Sequence, residues 1–375
     1  MKRKWIPFFL FFLILFILLL FYNIYTSFRF SIPLSTPNQS KFGGEKIYNP
    51  YSQTNQQWKK IALHLHSDNG FLSHDRYSPE EIHALYSKRG YNYISISDYH
   101  SITDVSALQG SNLPSFEWGR NFSTRHFLVV GSKMIVPDHF PFFATKENVQ
   151  WSLNELQKDN PFLVISHPRY RNAFTAADLI RLEGFNAIEI SSPFGNSVAI
   201  WDEVLKNGKP VLFTVTDDAH HLPPEEVEKH FPKQSEIRKF FQRFQFIARR
   251  QVFRRYLLLD IENTTPESIK ASLCSGNYIG VVKENQNDPD PEIETVGFRN
   301  EKLIFAFSKD KGEIRFYGEG GKILSFHQNT QKAEFSFPTT EAYVRIEASI
   351  GRNTIYTNPF FRYTSLKKKP CGISF

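Results

Sequence analysis

The chain has 375 residues, with 45 Lys and Arg against 38 Asp and Glu, and a formal charge of +7. That excess is modest for the length. Its densest part (Arg238, Lys239, Arg243, Arg249, Arg250, Arg254 and Arg255) accompanies no nucleic-acid-binding motif, so it reads as a solvated helix face, and no specific nucleic-acid binding is expected. The cysteines, Cys274 and Cys371, lie outside any C-x-x-C arrangement, which argues against a thiolate metal site or a disulfide framework and leaves their pairing open.

Residues 5–22 form an unbroken apolar and aromatic run, with no charge until Arg29. Such a run is long enough to cross a bilayer as a helix. Lys2, Arg3 and Lys4 precede it, so the expectation is a single-pass signal anchor over 1–28, N-terminus cytoplasmic and the rest of the chain extracytoplasmic. A cleaved signal peptide would have a shorter apolar core and a small-residue cleavage site, and Phe21-Tyr22-Asn23-Ile24-Tyr25 offers none. Residues 29–57, rich in Pro, Ser, Asn, Gln and Gly, read as a surface linker.

From 58 to 282 short apolar runs alternate with amphipathic ones. Strands are expected at 59–63, 91–97, 126–130, 162–165, 187–190, 211–215 and 256–261, and helices at 78–89, 149–158, 176–183, 197–206 and 266–272. Ser78, Pro79 and Glu81 compose a helix start with a capping box, and Gly90 a stop. Repeated βα units imply an α/β fold with a parallel sheet or barrel. After a polar link at 285–291, the runs at 302–307, 312–317, 332–337 and 342–347 alternate apolar with polar residues. They predict a small antiparallel β-sandwich domain over 283–375.

The histidines carry the functional reading. His64 and His66 form an H-x-H pair directly after the first strand. His100 follows the second, His167 follows 162–165, and Asp218 and His220 follow 211–215. Ligands gathered at strand ends are how a parallel barrel builds a site. His83, His139 and His327 fall in helix, loop and β contexts that read as structural, and His221 and His230 read as surface residues.

His64-Leu65-His66, residues 90–100, His167-Pro168 and Asp218-Ala219-His220 together resemble the four motifs of the polymerase and histidinol phosphatase (PHP) domain family, in order and over about 58–282. The resemblance implies a distorted (β/α)7 barrel, followed here by the β-sandwich and preceded by the transmembrane helix. It implies hydrolysis of a phosphate ester in a two- or three-metal site by a hydroxide bridging the metals. Carried over residue by residue, one metal would take His64, His66, Glu117 and Asp218. Glu117 would bridge to a second, completed by His126 and His167. Imidazole with carboxylate favours Zn, Mn or Fe. The third position departs from the family pattern. Asp75, with His74 as the alternative, and His100 with His220 are its candidates, because Tyr99 stands where the family has His. Arg169 or Arg171 would clamp the phosphate, and His220 or a third-metal water would protonate the leaving group. The substrate would be a phosphorylated small molecule or a phosphodiester.

Three alternatives stay open. An amidohydrolase barrel also opens with H-x-H, but it would normally supply a bridging lysine and a lone late aspartate. A degenerate barrel serving as an anchored binding module is favoured only by Tyr99. Residues 236–255 could form an amphipathic helix lying on anionic lipid or one packed on the barrel.

Overall fold

The computed structural model describes residues 6–37, 42–51, 57–70, 77–223, 251–365, 367–368 and 371–374. It opens on helix α1 (Ile6–Arg29), and the part Pro7–Arg29 is long and apolar enough to cross a membrane, with almost none of it buried. Its C-terminal turns differ. Asn23 and Thr26 are buried. Asn23 Oδ1 accepts from the amides of Phe142 (2.9 Å) and Phe143 (3.1 Å), and Thr26 Oγ1 donates to the His139 carbonyl (2.7 Å). Residues just beyond α1 are also engaged. The Phe30 ring stacks on His139 and lies 4.5 Å from Trp151. Some of the described residues of 29–57 are thus held against the folded part. Lys46–Tyr48 forms a strand, and Tyr51 is buried with its hydroxyl on the Tyr278 carbonyl.

Among the described residues the other α-helices are α2 (Pro79–Lys88), α3 (Ser106–Gln109), α4 (Lys146–Leu156), α5 (Ala176–Arg181), α6 (Val198–Lys206) and α7 (Pro266–Ser275). α2 starts as its sequence requires. Ser78 Oγ accepts from the Glu81 amide, Glu81 Oε2 accepts from the Ser78 amide, and Pro79 occupies the first turn. α4 begins a turn earlier than its periodicity indicated, because Thr145 and Asn148 make a second reciprocal cap.

The strands relevant to the site are β1 (Lys46–Tyr48), β2 (Trp58–Ala62), β3 (Tyr93–Ile94), β4 (Ser115–Trp118), β5 (Phe127–Val130), β6 (Phe162–Ile165), β7 (Ala187–Ser192), β8 (Gly195–Asn196) and β9 (Leu212–Val215). β4, β5, β6, β7, β8 and β9 make one six-stranded sheet. β6, β7 and β9 are parallel neighbours, since α5 and α6 supply the crossovers that parallel strands need. β4 and β5 are antiparallel, because residues 119–126 join them without a helix.

β2 and β3 belong to a second sheet of ten strands, with β10 (Arg255–Asp260) beside β2 and β11 (Tyr278–Val282) beside β10. β10 lies antiparallel on β2. The expected barrel is therefore not seen as a closed one among the described residues. Two single bridges, Tyr99–Glu117 and Leu65–Ala219, are what link the sheets around the site.

The C-terminal part continues the second sheet rather than standing apart. β12 (Ile293–Arg299), β13 (Lys302–Phe307) and β16 (Lys332–Ser336) form a separate antiparallel sheet. β14 (Gly312–Tyr317), β15 (Ile323–Thr330), β17 (Tyr343–Ile350), β18 (Asn353–Thr357) and β19 (Phe360–Tyr363) extend the ten-stranded one, β18 pairing with β11 and β19 with β1. Leu303 and Phe305 share one buried apolar cluster with Phe316, Val344 and Ile346 across these sheets. Cys274 and Cys371 are disulfide-bonded, tying α7 to the C-terminal segment.

Candidate metal centre

The site forms where the two sheets meet. His64 and His66 lie just past β2, and alternate residues of an extended chain share a face, so both imidazoles turn inward. Leu65, between them, is buried on the other side and bridges to Ala219. Glu117 comes from the middle of β4, His126 from the residue before β5, and the hairpin register Trp118↔Phe127 sets them at the same end. His167 follows β6 and Asp218 follows β9, both with positive φ (28° and 39°). Non-glycine residues in that region cluster at functional sites.

Two groups of donors result: His64, His66, Glu117 and Asp218, and Glu117, His126 and His167. Every member is buried. Glu117 faces both groups. Its Oε2 lies 3.4 Å from His64 Nε2 and 3.1 Å from His66 Nε2, while its Oε1 lies 3.0 Å from His126 Nδ1 and 3.3 Å from His167 Nε2. Asp218 spans them too, with Oδ1 at 3.3 Å from His66 Nε2 and Oδ2 at 3.6 Å from His167 Nε2. The sequence marked Asp218 as a ligand of one group only.

These residues fit divalent cations. His64 Nε2, His66 Nε2, Glu117 Oε2 and both Asp218 oxygens are buried without a hydrogen-bond partner, an expensive arrangement unless a cation satisfies them. The electrostatics point the same way. Burial alone would raise Glu117, yet His64 and His126 hold its carboxyl well below the ordinary range. Burial alone would lower His64, yet Asp218 and Glu117 raise its imidazole well above the ordinary value. The carboxylates thus demand compensating positive charge at this point.

A buried partner supports the floor from behind. His64 Nδ1 meets Glu189 Oε1 at 3.2 Å, and Glu189 Oε2 accepts from the His167 amide at 2.8 Å. Thr216 Oγ1 also donates to Glu189. A carboxylate only accepts, so Nδ1 of His64 donates to Glu189, and Nε2 is the nitrogen that would face a bound cation. Glu189 was not among the residues that the sequence pointed to. The available signal was a lone carboxylate inside the apolar strand Ala187-Ile188-Glu189-Ile190.

The other candidates are placed as follows. His220 stacks on His66 (4.2 Å between ring centres), with Nε2 3.3 Å from Asp218 Oδ1. It borders the donor groups without belonging to either. His100 is not brought into them. Burial lowers its imidazole to about 4, and its Nε2 accepts from the Gly119 amide at 3.2 Å. It pegs the β4–β5 connection and lies outside both donor groups found among the described residues. Tyr99 stacks on His66 at 4.7 Å. Asp98 is a structural clasp whose carboxylate accepts from the Ser67 amide and hydroxyl and from Thr103. Arg169 is exposed and donates to the Asn196 carbonyl (3.3 Å), and Arg171 lies over Tyr170. Neither lines the cavity above the donors, whereas Arg120 does. Asp75, His74 and most of 236–255 lie outside the described residues.

That cavity has a volume of about 730 Å³, with His126, His167, Asp218 and His220 on its floor and Tyr99, Arg120 and Phe122 among its walls. No family model matches the chain, and no curated protein does. Among solved structures, the chain is similar to PsfC from Pseudomonas syringae PB-5123, with 14% identity, a TM-score of 0.35, and coverage of 56% of this chain and 84% of that one. A likeness of that degree assigns neither fold nor activity.

Proposed function

We propose that the chain is a membrane-anchored, metal-dependent phosphoesterase of the PHP type. The observation that carries this reading is Glu117, a buried carboxylate that turns one oxygen to each of two histidine-rich donor groups. On this reading β2, β3, β4, β5, β6, β7 and β9 are the staves of a distorted seven-stranded barrel, joined at its two gaps by the single bridges. Two Zn, Mn or Fe ions held there would acidify a bound water and neutralise the oxygens of a phosphoryl group. The chain's own residues do the rest. His220, backed by Asp218 and stacked on His66, holds a proton beside the floor for the leaving oxygen. Arg120, at the cavity wall, takes the phosphate-orienting role that the sequence suggested for Arg169. α1 is read as an anchor with its basic N-terminus cytoplasmic. The Cys274–Cys371 disulfide supports an oxidising, extracytoplasmic setting for the folded part.

Elemental analysis of the full chain in detergent, reconstituted with Zn or Mn, is expected to give at least two ions per chain, with hydrolysis of soluble phosphate esters. Fewer than one ion per chain would refute the reading.

A further inference from the structure

The cavity is amphipathic, and its apolar side is continuous with the apolar helix. Loop 119–126 forms one wall through Arg120, Asn121, Phe122 and Thr124. That loop is fastened to residues 138–144. The Phe122 amide donates to the Phe142 carbonyl (2.9 Å), and the Ala144 amide donates to Ser123 Oγ (3.0 Å). Residues 138–144 are in turn the segment docked on α1 through Asn23 and Thr26. The loop joining metal-donor Glu117 to metal-donor His126 is thus braced against the apolar helix.

Aromatic rings follow the same route. Phe142 lies 5.3 Å from Phe16 of α1, Phe122 stacks with Phe142 at 6.0 Å, and Phe143 lies 6.1 Å from Phe122. Phe16 is six residues before Tyr22, about 9 Å further along the helix toward the middle of the apolar span. With α1 read as the anchor, the docked segment would reach the level of the hydrocarbon. Phe122 is 67% exposed and Phe143 58% exposed. Grouped exposed aromatics on a soluble surface mark an interaction site. Here, beside a membrane-crossing helix, they are apolar side chains that a bilayer would cover. The cavity lining is mixed in the same way, with Pro141, Phe194 and Val252 alongside His126, His167 and Asp218.

We propose that the phosphate ester hydrolysed at this site is carried by a membrane amphiphile. This rests on the phosphoesterase reading above. The phosphate group descends past Arg120 to the histidine floor while its apolar chains stay among Phe122, Phe142 and Phe143 beside α1. Water supplies OH to phosphorus and a proton to the ester oxygen. The P–O bond breaks, one product keeps the phosphate, and the other leaves as the alcohol.

The test uses the full metal-loaded chain in phosphatidylcholine vesicles. Dioleoyl phosphatidate is compared with glycerol phosphate, and dioleoyl phosphatidylglycerol with its deacylated counterpart. At least one long-chain ester should turn over tenfold or more faster than its soluble partner, at a rate that falls when it is diluted with phosphatidylcholine at fixed bulk concentration. Phe122→Ser with Phe143→Ser should reduce the long-chain-to-soluble ratio at least fivefold. Equal turnover of the soluble esters, with no dependence on dilution, overturns this inference and leaves the metal-dependent reading standing. Absence of turnover of every ester overturns the reading beneath it.

Discussion

Glu117 and His126 are buried in the cavity floor, whereas Arg120 and Phe122, on the loop that joins them, are exposed. The two settings are governed by different physics. In the floor, polar atoms are so tightly surrounded that a missing partner has a cost, so the residue types and their strand-end positions are narrowly dictated. The rim is held by backbone hydrogen bonds between loops and by side chains of α1, which constrain shape but hardly constrain residue identity. Chemistry is therefore written in the floor, and access to it in the rim.

The largest expected break in that comparison comes from the floor. Glu117→Gln alters the carboxylate common to both donor groups. Metal content of the full chain should fall below two, and turnover of any phosphate ester by roughly a thousandfold, the scale of losing a principal electrostatic element. Retained activity would sever the site from the function proposed for it.

Glu189→Gln sharpens the same comparison from behind the floor. An amide keeps one acceptor and replaces the other with a donor, so either His64 Nδ1 or the His167 amide loses its partner. Metal affinity should weaken by about 10- to 100-fold, as for other groups that orient metal ligands. Competition with a chelator reads this independently of turnover. An unchanged affinity would make Glu189 a packing residue only.

Part of the floor was legible by short-range geometry, since strand ends and the H-x-H spacing marked His64, His66, His167 and Asp218, while Glu117 and His126 came only with the family resemblance. His64, His66, Glu117, His126, His167 and Asp218 all meet. The role of His100 was less legible, because its position after a strand does not reveal that Gly119 offers an amide to its Nε2. The closed barrel was less legible: 115–118 was not among the strands predicted, and β4 pairs antiparallel with β5 where repeated parallel βα units were expected. The rim was illegible for another reason: Asn23 pairs with Phe142 and Phe143 across more than a hundred residues, a distance no local pattern spans. Asn23 nevertheless left a trace, as a polar residue following the apolar run of α1.

The smallest effect belongs to the rim, and its sign is fixed by burial. Asp138 lies where the two loops join, its Oδ1 accepting from the Phe140 amide (2.9 Å) and its Oδ2 from the Asn121 side chain (3.3 Å). Burial outweighs those bonds and pushes its carboxyl up to about 6 from 3.8. A carboxyl raised on folding favours the folded state fully below its unfolded value, and that contribution is lost as the pH rises through the folded value. The joint should therefore loosen between about pH 4 and pH 6 and remain looser at neutral pH. Asp138→Asn, which does not titrate, should abolish the dependence. Amide exchange at Phe122 and Phe140, corrected for its intrinsic pH dependence, reads the effect in the full chain. The floor amide of Glu117, bonded to the Ser97 and Asp98 carbonyls, provides the reference. Protection that changes equally at rim and floor would mean that the two regions open as one unit, and the distinction between them would fail.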